Sequence, residues 1–258
     1  MLKSRIIPVL LIQNKGLVKT VKFKDPKYVG DPINAVKIFN EKEVDELTVL
    51  DIDASAEGKE PDYKAIENLA SECRMPLCYG GGIKTTEQAQ KILSLGVEKV
   101  AFSSATLEKP ELLSLLSKQV GRQSVVLVLD VKKKLFGSKY ECYTYNGTKN
   151  TKQCPFEFAK LAENLGVGEI VINFIDQDGV MKGYDLSFVS KFKSQINVPV
   201  TILGGAGEYS HIEQLISQEG IIGAAAGSLF VFKGKYRAVL INYPTKQEKE
   251  KILASLTF

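Results

Sequence analysis

Asp130 closes the apolar run Val126-Leu127-Val128-Leu129-Asp130-Val131-Lys132, and a carboxylate at such an end can move protons for a bound ligand. An aspartate there can equally cap a loop. Four more aspartates end apolar runs in pairs, Asp51 and Asp53 after Leu50, and Asp176 and Asp178 after Ile175. Each can orient substrate hydroxyls or simply hold a loop. Downstream of the pairs come glycine clusters, Gly80-Gly81-Gly82-Ile83 with Ser103-Ser104, and Gly204-Gly205-Ala206-Gly207 with Gly227-Ser228. Glycine turns let backbone amides approach a phosphate, and a following helix start adds a favourable dipole. Gly82, Ser103 and Ser104, with Asp51, are therefore candidates for one anion cradle. Gly205, Gly227 and Ser228, with Asp178 and Gly179, are candidates for a second. The plainer alternative is that the glycines only allow close packing. Two cradles at one mouth would suit a ligand with a phosphate at each end.

The spacing of these features implies the elements that hold them. The two aspartate and glycine sets lie 124 or 125 positions apart in a chain of 258 residues, so the second half reads as a copy of the first. Short Val- and Ile-rich runs recur at 5–12, 46–50, 75–79, 99–102, 124–129, 169–174, 199–203 and 221–226, the pattern of strands buried on both faces. Amphipathic segments of helical length separate them, at 31–43, 62–73, 85–95, 110–119, 155–165, 186–192, 210–217 and 244–256. Asp31, Asp62, Thr85 and Ser210 are candidate caps, and Pro110, Pro155 and Pro244 fall where a first helical turn tolerates proline. Eight alternations predict an α/β fold of (β/α)8 type, one domain over 1–258 built from half-barrels of about 1–122 and 123–258. An open doubly wound sheet is the alternative. It would place its glycine-rich turn after the first strand, where this chain has Gln13-Asn14-Lys15-Gly16. Two long connections, 13–30 and 131–154, follow the first and fifth strands and predict lids, the second with a small hairpin at Lys139 to Tyr145 ahead of Asn146-Gly147.

Composition narrows the function. With 44% hydrophobic and 25% charged residues, a chain of this length buries roughly 75% of its unfolded surface in a single core. No apolar stretch approaches the roughly 20 residues of a membrane helix, and the first residues lack the features of a signal peptide, so a cytoplasmic protein is expected. Cys73, Cys78, Cys142 and Cys154 have no C-x-x-C spacing, and His211 is the single histidine. No metal site and no cofactor are expected, and the cysteines read as reduced and structural. His211 also lies too far from serine-bearing strand ends for a Ser-His-Asp triad. A net charge of +4 from interspersed residues fits a solvated surface or anionic small ligands, and no basic run with interleaved aromatics suggests nucleic acid. Asn146-Gly147-Thr148 matches a glycosylation sequon that a cytoplasmic chain would not use.

Arg5, Glu46, Lys99 and Glu169 open four of the predicted strands. A barrel would gather these two cations and two anions at its bottom, as a satisfied polar plug or as a gate.

Together these residues resemble the HisF family, the cyclase subunit of imidazole glycerol phosphate synthase, over nearly the whole chain. The matching text includes Arg5-Ile6-Ile7, Gly30-Asp31-Pro32, Asp45-Glu46-Leu47, the Gly80 to Ile83 turn, Asp130, Asn150-Thr151, Asp176-Gln177-Asp178-Gly179, Gly183-Tyr184-Asp185 and Gly204 to Gly207. The resemblance implies a HisH-like glutaminase partner under the barrel. Ammonia released there crosses the interior and, at the top, cleaves and cyclises a bisphosphorylated substrate to imidazole glycerol phosphate and aminoimidazole carboxamide ribotide. It further implies that Arg5, Glu46, Lys99 and Glu169 are the ammonia gate, Lys19 a loop lysine that meets the substrate, and Asp130 one of two catalytic aspartates.

The family's other aspartate corresponds to Leu11, which cannot transfer a proton. Losing one of an acid–base pair should cost on the order of 10² to 10⁴ in rate. Ser103, Asn173 and Leu203 also stand where the family usually has asparagine, threonine and serine. The ending Gly227 to Gly234 with Tyr236 to Pro244 is similar to a branch of second HisF-type proteins, WbuZ. That resemblance implies ammonia supply to a separate sugar amidotransferase that forms acetamidino sugars for surface polysaccharide. The alternative is a working histidine-pathway cyclase in which Asp51 or Asp53 replaces the missing carboxylate.

Overall fold

The computed structural model describes residues 3–134 and 139–254. Eight parallel strands, Arg5–Gln13, Leu47–Asp51, Leu77–Gly80, Lys99–Phe102, Val125–Lys133, Glu169–Phe174, Val200–Leu203 and Gly223–Ala226, follow one another round a sheet. The sheet closes where the fifth strand pairs with the sixth, Leu127 opposite Ile170 and Asp130 opposite Asn173. Helices Pro32–Glu41, Tyr63–Glu72, Thr86–Ser94, Glu111–Val120, Pro155–Asn164, Leu186–Lys193, Tyr209–Glu219 and Lys246–Ala254 alternate with the strands. The chain is a (β/α)8 barrel, and closure excludes the open sheet. Outward strand residues such as Ile6, Leu10, Leu127, Ile170 and Ile202 are buried under the helices in one continuous core, which is why these strands read as unbroken apolar runs.

Local chemistry sets the helix ends. Asp31 accepts the Asn34 amide at 2.9 Å, Asp62 accepts the Ala65 amide at 3.0 Å, and Thr85 and Gln88 form a reciprocal capping box. Two expected starts are corrected. Ser210 is not a cap, because the helix begins at Tyr209 with Glu208 before it. Pro244 lies outside the last helix, whose start at Lys246 is fixed by Thr245 and Glu248, each accepting the other's backbone amide. The expected run of that helix to Leu256 passes beyond the described residues.

The two long connections are not irregular loops. After the first strand the chain turns back through Gly16–Val21 and Lys24–Gly30, an antiparallel hairpin. Its turns, Asn14-Lys15 and Lys22-Phe23, place both central residues at positive φ, the twist that suits two-residue hairpins. After the fifth strand the chain returns as Tyr140–Thr144 and Lys149–Asn150 around Asn146-Gly147, as expected for that hairpin.

Register ties the hairpins to the chemistry. Leu11 faces Leu50 on the second strand and Val18 on the first hairpin, while Asp130 faces Asn173 on the sixth strand and Tyr143 on the second hairpin. Leu11 and Asp130 therefore occupy corresponding places. By the same register Leu50 corresponds to Asn173, 123 positions later, whereas the aspartate pairs are 125 apart. The two extra residues are Phe174, at the end of the sixth strand, and Ile175, at the start of the 3-10 turn Ile175–Gln177.

Candidate active site

At the carboxyl end of the strands lies a cavity of about 360 Å³ lined by Gly80 to Ile83, Gly204 to Ala206, Asp51, Asp130, Asp178, Lys19, Leu11 and Leu203. All ten residues expected to meet substrate or phosphate line this cavity.

Asp130 Oδ1 accepts a hydrogen bond from Asn173 Nδ2 at 2.8 Å. Burial raises the carboxyl to about 7, against the opposing pull of that bond and with a further push from Asp178. Such a group changes charge near neutrality and can both accept and return a proton. Opposite, Leu11 packs with Ile7, Val9, Leu203 and Ala225. One side of the mouth is thus polar and the other apolar.

Lys19, only 5% exposed, donates from Nζ to the Val9 carbonyl at 2.6 Å. Burial lowers its pKa to about 8, partly countered by Asp178. Its ammonium lies against Gly227, where an added Cβ would sit 2.7 Å from Nζ. A bare α-carbon at 227 is what lets the lysine fold inward.

The remaining aspartates divide by role. Asp53 accepts from the Gln13 side chain and the Asn14 amide, and Asp176 accepts from the Lys133 amide, so both fasten hairpins. Asp51 caps the short helix Ile52–Ala56 through the Asp53 and Ala54 amides. Asp178 Oδ2 accepts from Thr20 Oγ1 at 2.6 Å and from the Phe23 amide at 3.0 Å, which ties the first hairpin over the mouth. Burial raises the pKa of both Asp51 and Asp178.

The cradles are partly committed. The Gly82 amide donates to Ser55 Oγ, and Ser104 Oγ accepts the Tyr145 amide. Ser103 Oγ is buried with no hydrogen-bond partner among the described residues, so its hydroxyl is uncommitted. At Gly205, with φ +119°, an added Cβ would sit 2.1 Å from the Gly183 carbonyl, and at Gly179, with φ +65°, it would sit 2.3 Å from the Thr20 carbonyl. These two glycines have a packing reason independent of any ligand.

At the other end, Glu46 and Glu169 are each bridged by both cations. Arg5 reaches Glu46 at 2.5 Å and Glu169 at 2.8 Å, and Lys99 reaches each at 2.9 Å. Burial opposes charge on Glu169, yet Arg5 and Lys99 hold its carboxyl well below the usual range. Between ring and mouth the interior carries Ile7, Val9, Ala101, Val126, Val128 and Val171.

Sequence reasoning missed four contributors. Thr201 donates to Glu169 at 2.6 Å and was legible only as an inward residue of the seventh strand. Asn173 was noted for its type but not as the partner of Asp130. Phe23 and Gly147, at the two hairpin tips, meet across the mouth, an added Cβ at Gly147 lying 3.3 Å from the Phe23 ring; nothing in the sequence brings them together.

Comparison with known proteins agrees with this geometry. The profile of the family described as Histidine biosynthesis protein matches residues 5–237. The chain is 67% identical over 253 residues, 98% of its length and 97% of the relative's, to "Putative imidazole glycerol phosphate synthase subunit hisF3" of Vibrio vulnificus. It is 53% identical over 244 residues, covering 95% and 97%, to the protein of the same description, hisF2, of Pseudomonas aeruginosa. To the imidazole glycerol phosphate synthase subunit HisF of Lactococcus lactis it is 39% identical over 230 residues, 89% of each chain. A closed barrel with its mouth so lined, matched by that profile and these relatives, belongs to the histidine biosynthesis protein family as a HisF-like subunit of the imidazole glycerol phosphate synthase type.

Proposed function

We propose that this chain is the ammonia-conducting subunit of a glutamine amidotransferase complex. A HisH-like glutaminase docks under the ring of Arg5, Glu46, Lys99 and Glu169, and a sugar amidotransferase uses the ammonia to form an acetamidino sugar. The carrying observation is the asymmetric mouth, with Leu11 at the place corresponding to Asp130 and packed on Leu203 and Val9. A cyclase that uses an acid and a base at these two corresponding places has Asp130 at one and a leucine at the other, while the charged ring at the bottom is intact. Lys19, Ser103, Ser104, Gly227 and Ser228 still suit a phosphorylated ligand, read here as one that occupies the mouth without being cyclised. The matching registers favour an origin of 1–122 and 123–258 as duplicated halves of one domain.

The test supplies purified protein with an ammonium salt and the bisphosphorylated histidine-pathway intermediate. No imidazole glycerol phosphate should form. Turnover abolished by Asp130→Asn would overturn the proposal in favour of an authentic cyclase, the reading that the carboxyl of Asp130, raised to about 7, supports.

A further inference from the structure

The first hairpin has two faces. Lys19, Thr20, Phe23 and Pro26 line the mouth, whereas Val21 and Tyr28 are exposed to solvent. Beside it stands a C-terminal hairpin, Phe232–Lys233 paired with Ala238–Val239, that follows the eighth strand. The two are joined, because Lys27 Nζ lies 5.8 Å over the Phe232 ring, and Arg237 donates to the carbonyl of Gly179, which packs on Val21. Residues 233–240 are all exposed, and Tyr236 (90%), Val239 and Leu240 add apolar surface next to Tyr28 and Val21.

The charge on this face is predominantly positive. Lys22, Lys24, Lys27, Lys233, Lys235 and Arg237 are exposed, and Asp25 is the one acid within the two hairpins. None of the six cations is in an ion pair among the described residues. Unpaired like charges repel one another and gain most from an opposing acidic surface, which also steers its approach. Exposed aliphatic side chains gain from a dehydrated contact, and tyrosine and arginine are enriched in protein interfaces. Tyr28 and Tyr236 could each stack a base, but aliphatic Val21, Val239 and Leu240 beside them give an apolar surface that a nucleic acid does not use, and this favours a protein.

We infer that the twin-hairpin face docks an acidic surface of the enzyme that consumes the ammonia, an inference that rests on the function proposed above. The partner then sits on the outer side of the hairpin whose inner side walls the mouth.

The test measures the affinity of the purified sugar amidotransferase for this chain in complex with its glutaminase. Lys27→Glu with Arg237→Glu should weaken it by about tenfold or more, leaving glutaminase binding and circular dichroism unchanged. Tyr236→Ser with Leu240→Ser should weaken it without altering its salt dependence. An affinity unchanged by both pairs overturns this docking face and leaves the proposed function standing. Tighter binding of the face to RNA or to anionic vesicles than to the amidotransferase also overturns it. If the unaltered chain binds its glutaminase but no amidotransferase, the proposed function falls as well.

Discussion

Asn173 and Asp130 face each other on neighbouring strands, joined by a 2.8 Å hydrogen bond from the carboxamide to the carboxylate. Their counterparts, Leu50 and Leu11, face each other with aliphatic side chains only. The bond favours the charged form of Asp130. Asn173→Leu should therefore raise the carboxyl above about 7, read by carbon NMR of labelled aspartate. A fall would show that the amide does not support the charge.

Asp130 makes stability depend on pH with a defined sign. Its folded pKa of about 7 exceeds the unfolded value, so the folded chain holds an extra proton between about pH 4 and 7 and loses stability as pH rises through that window. Asp130→Asn removes this cost. The variant should resist urea better than the parent by about 1–2 kcal/mol at pH 8 and show little difference at pH 4. A variant weaker than the parent at pH 8 would contradict this.

Leu11→Asp would return a carboxylate to an apolar cluster of Ile7, Val9, Leu203 and Ala225. Burying it should cost about 2 kcal/mol at pH 7 and less at pH 5, where the group keeps its proton. Thermal melts at both pH values read the difference, and a penalty larger at pH 5 counts against an apolar mouth wall.

Lys99→Ala leaves two buried glutamates sharing Arg5. A loss of about 2–3 kcal/mol in chemical denaturation is expected. Glutamine-dependent product in the reconstituted complex should also fall, and an unchanged yield would remove the ring from the ammonia path.

Asp178→Ala frees the Thr20 hydroxyl and the Phe23 amide. Trypsin should then cut after Lys22 or Lys24 about tenfold faster, with only a small shift in melting temperature, because a local opening is what changes. Equal cleavage rates would mean that Asp178 does not hold the hairpin.

The barrel was legible because its strands are buried on both faces and leave uninterrupted apolar runs, and because Asp31, Asp62 and Thr85 are strong caps. Convergence of Arg5, Glu46, Lys99 and Glu169 followed from their shared place at strand starts. The hairpin at 13–30 was not legible as strands, since its turn residues, Asn14-Lys15 and Lys22-Phe23, carry no glycine to announce positive φ. Nor was the division of labour among the aspartates. Asp53 and Asp178 have the same type and setting in the text, and only the placed hairpins show which amides each one holds.

The touching tips of the two hairpins, Phe23 and Gly147, carry a mechanical consequence. Each hairpin is rooted on a different side of the barrel, so together they form an arch with its keystone above the cavity. The cavity also meets solvent beside this arch, so moving either tip widens an entrance that already exists.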